Sequence, residues 1–70
     1  MGIYDYSELR GLIRSRSKTQ EDVAHAASID PSTLSQKLNG RSLFKQSEIE
    51  SIAKYLEISP VDVGRYFFTR

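Results

Sequence analysis

Between Val23 and Asn39 the sequence closes one helix and opens another with only Ser28, Ile29 and Asp30 between them. Asp30-Pro31 is the restart. An aspartate oxygen accepts hydrogen bonds from the free amides at a helix start. Proline is tolerated at the first helical position, because its missing N–H would have no partner there. Asn39-Gly40 is the stop, since these two residues best tolerate the left-handed conformation that ends helices. The helix between them, Pro31 to about Leu38, keeps Leu34 and Leu38 one turn apart on an inner face. Its outer positions are then Pro31, Ser32, Thr33, Ser35, Gln36 and Lys37. Two short helices joined by so short a turn must cross steeply, which is the geometry of a helix-turn-helix.

The rest of the chain reads as helix too. Asp5 followed by Glu8 looks like a cap with an acid in the first turn, and Leu9, Leu12 and Ile13 follow at helical spacing. This predicts helix 1 over roughly 6–16. Thr19 can cap helix 2, with Asp22 at the third position and Val23, Ala24 and Ala27 as the buried stripe. The small Ala24 and Ala27 let another helix come close. Segment 41–45 is a loop that Leu43 and Phe44 are expected to anchor to the core. Helix 4 covers roughly 46–57, from the spacing of Ile49, Ile52, Ala53 and Leu56. Its cap position falls on Lys45, a poor cap. Ser59-Pro60, with Asp62 following, repeats the cap-then-proline device and opens helix 5, which runs to about Phe67. No segment alternates with a period of two. The expected fold class is all-α, five helices in a single domain over 1–70, with the helix-turn-helix at 20–39.

Composition bounds the function. Seventy residues make one small domain, whose thin core leaves stability dependent on good packing or on a partner. The chain has no cysteine, which excludes disulfides and thiolate metal sites. Its one histidine, His25, has no carboxylate constellation around it in the sequence, so neither a metal site nor a catalytic triad is expected. We read no enzyme, cofactor or small-molecule substrate here. The first six residues lack the basic start and apolar stretch of a signal peptide, and no apolar run is long enough to cross a bilayer. The expectation is a cytoplasmic protein with no membrane partner. The net charge of +1 argues weakly against a nucleic-acid binder, but its distribution is uneven. Segment 31–46 holds Lys37, Arg41 and Lys45 and no acid, and a phosphate feels the local field.

The stretch Thr19 to Gly40 resembles the helix-turn-helix of the lambda-repressor and Cro superfamily. Gln20 opens helix 2, Ala24 sits at the tight crossing, Leu34 lies inside helix 3, and Asn39-Gly40 closes it. The likeness extends to Asp5-Tyr6-Ser7, to Leu9 and Gly11, and to the Ser59-Pro60…Tyr66-Phe67-Phe68 ending. These look like small regulators from phages and prophages of Gram-positive bacteria, a group that includes modulator-of-repression proteins. One position departs. The superfamily usually has glycine at the first turn position, where this chain has Ser28, which suggests a strained turn.

The resemblance implies that helix 3 enters the major groove of operator DNA in a bacterial host. Ser32, Thr33 and Gln36 are the base-reading candidates, since glutamine can bind adenine bidentately and hydroxyls can serve several bases. Lys37 would reach a phosphate or a guanine. Gln20 packs on the DNA backbone in that superfamily, and Arg41 and Lys45 are the phosphate cations, with Arg14, Arg16 and Lys18 in second rank. The bland alternative is that a polar outer face is what any solvated helix shows, and that cations at a helix C-terminus are favourable in themselves.

Specific binding by so small a module usually needs two half-sites, so a homodimer is expected. Tyr66, Phe67 and Phe68 are consecutive, hence about 100° apart around a helix, and cannot all face one core. Tyr66 and Phe68 are the protein-interface candidates. Two functions follow. One is a Cro- or repressor-like regulator of operator DNA. The other is a protein-binding modulator that complexes a separate phage repressor. Low net charge and a helix 3 without arginine favour the second; the basic 31–46 segment favours the first.

Overall fold

The computed structural model describes residues 4–70. The described chain forms α1 (Ser7–Ser15), α2 (Gln20–Ala26), α3 (Pro31–Leu38), α4 (Gln46–Tyr55), a 3-10 turn (Pro60–Asp62) and α5 (Val63–Phe67). No strand occurs among the described residues. The all-α, five-helix expectation holds. α2 packs on α3 and α4, while α5 closes against α1 and α4. Leu9, Val23, Ala24, Leu34, Ile52, Leu56 and Phe67 are all but sealed from solvent in one core. Of the expected α2 stripe, Val23 and Ala24 are buried, while Ala27 at the helix end is only half-buried.

Local signals set the helix starts. Thr19 Oγ1 accepts from the Asp22 N–H at 3.1 Å, and Asp22 Oδ2 accepts from the Thr19 N–H at 2.9 Å. This reciprocal capping box satisfies two otherwise free amides. α3 opens on Pro31, but Asp30 makes no side-chain cap hydrogen bond. α1 opens one residue later than expected. Tyr6 takes the cap position with its ring buried, and Asp5 reaches over it to accept from the Ser7 N–H at 2.9 Å and the Ser7 hydroxyl at 2.6 Å.

The helix ends share one device. At α1, α2, α3 and α4 the chain turns through a left-handed residue, namely Ser17 (φ 58°), Ser28 (φ 59°), Gly40 (φ 79°) and Glu57 (φ 58°). In each case that residue and the next donate back into the last turn. Gly40 N–H reaches the Lys37 carbonyl at 3.0 Å and Arg41 N–H the Gln36 carbonyl at 2.9 Å. Ser28 N–H reaches His25 at 3.1 Å and Ile29 N–H reaches Ala24 at 3.0 Å. These are Schellman closures, which favour glycine because it lacks the Cβ that crowds a positive φ. The turn expected to be strained at Ser28 therefore does hold a non-glycine residue in the left-handed region. Asn39 is not left-handed (φ −88°); Gly40 alone makes the stop.

Three further expectations need correction. Leu43 does not anchor the 41–45 loop: it is 60% exposed. Adjacent side chains of an extended segment point opposite ways, and Phe44 takes the inward place, meeting Tyr6 at 5.3 Å and Phe67 at 5.4 Å. Helix 4 ends at Tyr55 because Glu57 adopts the left-handed turn. Helix 5 starts as a 3-10 turn and becomes α-helical only from Val63.

Candidate functional site

The outer face of α3 is the first place to look. Ser32 and Gln36 are exposed there and Thr33 is half-buried. Gln20, Arg41 and Lys45 are also exposed, at the start of α2 and in the loop after α3. Thr33 lines a shallow cleft of about 500 Å³ with His25, Ser28, Ile29 and Asp30. Gln20 lines a second cleft, of about 180 Å³, with Arg10, Arg14 and Lys18.

Lys37 does not join this face. Its side chain is buried, with Nζ 2.6 Å from Glu48 Oε1 on α4 and 3.3 Å from the Leu43 carbonyl. The Phe44 ring lies 5.9 Å from the same nitrogen. A base-reading or phosphate role for Lys37 is therefore corrected: its charge is spent inside the protein. The physical reason lies in its spacing. Residue 37 is three positions after Leu34, and residues three and four apart share a helix face. Leu34, Lys37 and Leu38 thus point inward together, and that spacing was the signal available in the sequence. α3 then presents no cation on its outer face.

Glu48 completes the buried pair and binds the loop. Its Oε1 also accepts from the Lys45 backbone N–H at 2.8 Å. Burial by itself pushes this carboxyl up, but the hydrogen bonds from Lys37 and Lys45, with their positive charges, outweigh it and hold the group below the ordinary value of 4.5. Lys45 is thus a cap position whose backbone, not its side chain, is satisfied by the acid three residues on. That leaves the Lys45 side chain in solvent.

Two of the second-rank cations have structural tasks, while Arg14 is exposed. Arg16 Nε donates to the Leu56 carbonyl at the end of α4, 3.1 Å away. Lys18 Nζ sits 5.0 Å from the Tyr55 ring centroid. Arg10, not singled out in the sequence, donates to Asn39 Oδ1 at 2.6 Å and ties α1 to the end of α3. That contact spans 29 positions of sequence, and no local pattern announces it.

The C-terminal aromatics divide as their spacing requires. Phe67 is buried, Tyr66 is half-buried against the core edge, and Phe68 is 48% exposed. Of the two interface candidates, Phe68 is the one on display. Its ring meets that of Tyr4 edge-on at 5.5 Å.

Among the described residues no three His, Asp or Glu side chains cluster to hold a metal, and no helix is long and apolar enough to cross a membrane.

Fold and surface together define a five-helix all-α domain with a polar α3 facing outward and an aromatic end. Residues 2–70 match the family described as "Protein of unknown function (DUF739)", and the chain belongs to it. It is also similar to the modulator of repression (MOR) of the temperate bacteriophage TP901-1 from Lactococcus lactis, known from its solution structure. The two share 39% sequence identity, with 94% of this chain and 89% of that chain covered, at a TM-score of 0.75. This likeness is one of sequence as well as of fold. No curated protein matches the chain.

Proposed function

We propose that this chain modulates phage repression by complexing a separate repressor protein. The observation that carries the reading is its 39% identity to the phage modulator of repression over nearly its whole length. The chemistry of α3 supports it. DNA affinity rests on cations that neutralise phosphates, and the one cation of α3 is withdrawn into a pair with Glu48. The near-neutral charge of +1 adds little long-range attraction to a polyanion. On this reading the domain is a binding protein with no catalytic chemistry, working in the cytoplasm of a bacterial host, and the exposed Phe68 belongs to the protein contact.

A second reading is kept by one observation. Ser32 and Gln36 face outward on α3 with Gln20, Arg41 and Lys45 exposed around them. That set suits a lambda-repressor- or Cro-like helix-turn-helix docking as a homodimer on operator DNA, with Ser32, Thr33 and Gln36 at base edges. A gel-shift assay separates the two. The DNA flanking the gene is titrated with the chain alone at low salt, with the neighbouring repressor alone, and with both. The modulator reading predicts no shift by the chain alone and an altered repressor shift when both are present. A sequence-specific shift by the chain alone overturns it in favour of direct DNA binding.

A further inference from the structure

Aromatic rings run in an edge-to-face chain from the core to the surface. Phe67 meets Phe44 at 5.4 Å, Phe44 meets Tyr6 at 5.3 Å, Tyr6 meets Tyr4 at 6.4 Å, and Tyr4 meets Phe68 at 5.5 Å. Such contacts fix ring orientation. The exposed Phe68 is therefore a pre-set ring and not a loose side chain. Leu43, 60% exposed, and Phe68 flank an opening of about 80 Å³ with Tyr4, over the buried Ile49 and Phe67. Its size suits one aliphatic side chain. Two exposed large apolar side chains around one slot on so small a domain mark a contact surface. Rigid aromatic anchors beside arginine are the usual composition of an interface centre.

The rim selects the partner. The Arg70 guanidinium lies 5.9 Å from the Tyr4 ring centroid. Leu43 sits in a loop that carries the exposed Arg41 and Lys45 and no acid, and segment 63–70 holds no acid either. Asp5, next to Tyr4 in sequence, is exposed and keeps its negative charge while accepting from the Ser7 N–H and hydroxyl, so the positive rim rests on Arg41, Lys45 and Arg70 together.

We propose that this opening is where the partner protein docks, and that the partner offers an aliphatic side chain set among carboxylates. The inference rests on the modulator reading and names the surface and partner chemistry for it. The α3 face is then outside the contact. Leu43 and Tyr4 join Phe68 in the interface, while Tyr66, packed against the core, does not line the opening.

Calorimetric titration of the full chain with a purified phage repressor tests this. Leu43→Ser and Phe68→Ala are expected to weaken binding tenfold or more, with Phe68→Leu restoring part of the loss. Arg70→Glu should weaken binding at low salt, by a factor that shrinks as salt rises. Gln36→Ala should bind like the wild type. Thermal melts check that the variants fold, which the exposure of both side chains favours. Unchanged affinity in Leu43→Ser and Phe68→Ala, with wild-type binding intact, overturns this surface and leaves the modulator reading standing. No binding by the wild type overturns both. Self-association of the chain alone that Phe68→Ala abolishes would assign the opening to a second copy. Loss of single-stranded oligonucleotide binding in the same variants would assign it to nucleic acid. Either result overturns the proposal.

Discussion

The outer face of α3 and the aromatic end around Phe68 are both exposed, but they are built differently. α3 shows short polar side chains, and its lysine is turned away from solvent into a pair with Glu48. The aromatic end shows apolar side chains held by a chain of ring contacts that reaches the core, with Arg70 alongside. A surface that reads DNA needs cations near its polar contacts. A surface that grips a protein needs rigid apolar anchors with a charged rim. By these requirements α3 carries no free cation of its own and depends on Arg41 and Lys45 in the loop after it, whereas the aromatic end holds its anchors and Arg70 together.

The pair Lys37–Glu48 is where that contrast breaks most readily. Lys37→Met leaves a buried carboxylate unpaired and should cost about 3 kcal/mol or more. At this chain length that lowers the melting midpoint by roughly 12 °C or more, measurable by circular dichroism. Adding Glu48→Leu should recover most of the loss, since replacing both charges is far less costly than stranding one. If Lys37→Met melts like the wild type yet changes DNA binding, Lys37 belongs on the outer face and the contrast fails.

Acid probes the same pair. The Glu48, Asp22 and Asp5 carboxyls all lie below their ordinary values of 4.5, 3.8 and 3.8. For Glu48 the hydrogen bonds overcome burial, for Asp22 the Thr19 N–H and hydroxyl are responsible, and for Asp5 the Ser7 hydroxyl and N–H. A carboxyl lowered on folding adds stability that is complete above its unfolded value and is lost as pH falls through its folded value. Melts should therefore be flat from neutral down to about pH 5 and fall below about pH 4.5. Glu48→Gln should be less stable at neutral pH and lose less on acidification. A wild type whose stability holds unchanged to pH 3 contradicts these contacts.

Smaller effects sharpen the α2–α3 side. Thr19→Ala removes the acceptor for the Asp22 N–H and should cost about 1 kcal/mol in urea unfolding. Ser28→Gly relieves a left-handed serine and should gain about 0.5–1 kcal/mol, the relief exceeding the added freedom of the unfolded chain. A loss there would mean that the serine side chain supports the turn. Gln36→Ala should change neither stability nor repressor binding, as expected of an exposed residue outside the contact.

Much of the fold was legible because its signals are local. Thr19 and Asp22, Pro31, and Gly40 each act within one helical turn of the amides or carbonyls they serve. Ser28 stands out in the sequence at a position that favours glycine, and its φ of 59° agrees. The candidate site was less legible, because its charges are committed across the fold. Lys37 finds Glu48 on another helix, Arg10 finds Asn39, and Arg16 finds the Leu56 carbonyl. Which of Leu43 and Phe44 turns inward depends on space beside Tyr6 and Phe67, which exists only in the assembled core. Hydrophobic spacing alone treats that pair alike.

The central claim is that this domain works through a protein contact at its aromatic end and not through α3 on DNA. Backbone amide shifts of the labelled chain test it most directly, recorded on titration with a purified phage repressor and separately with the DNA flanking the gene. The account predicts that the repressor moves the signals of Tyr4, Leu43, Phe68 and Arg70, while DNA leaves those of Ser32, Thr33 and Gln36 in place. DNA-induced shifts concentrated on Ser32, Thr33 and Gln36, with the aromatic end unmoved by repressor, would contradict it.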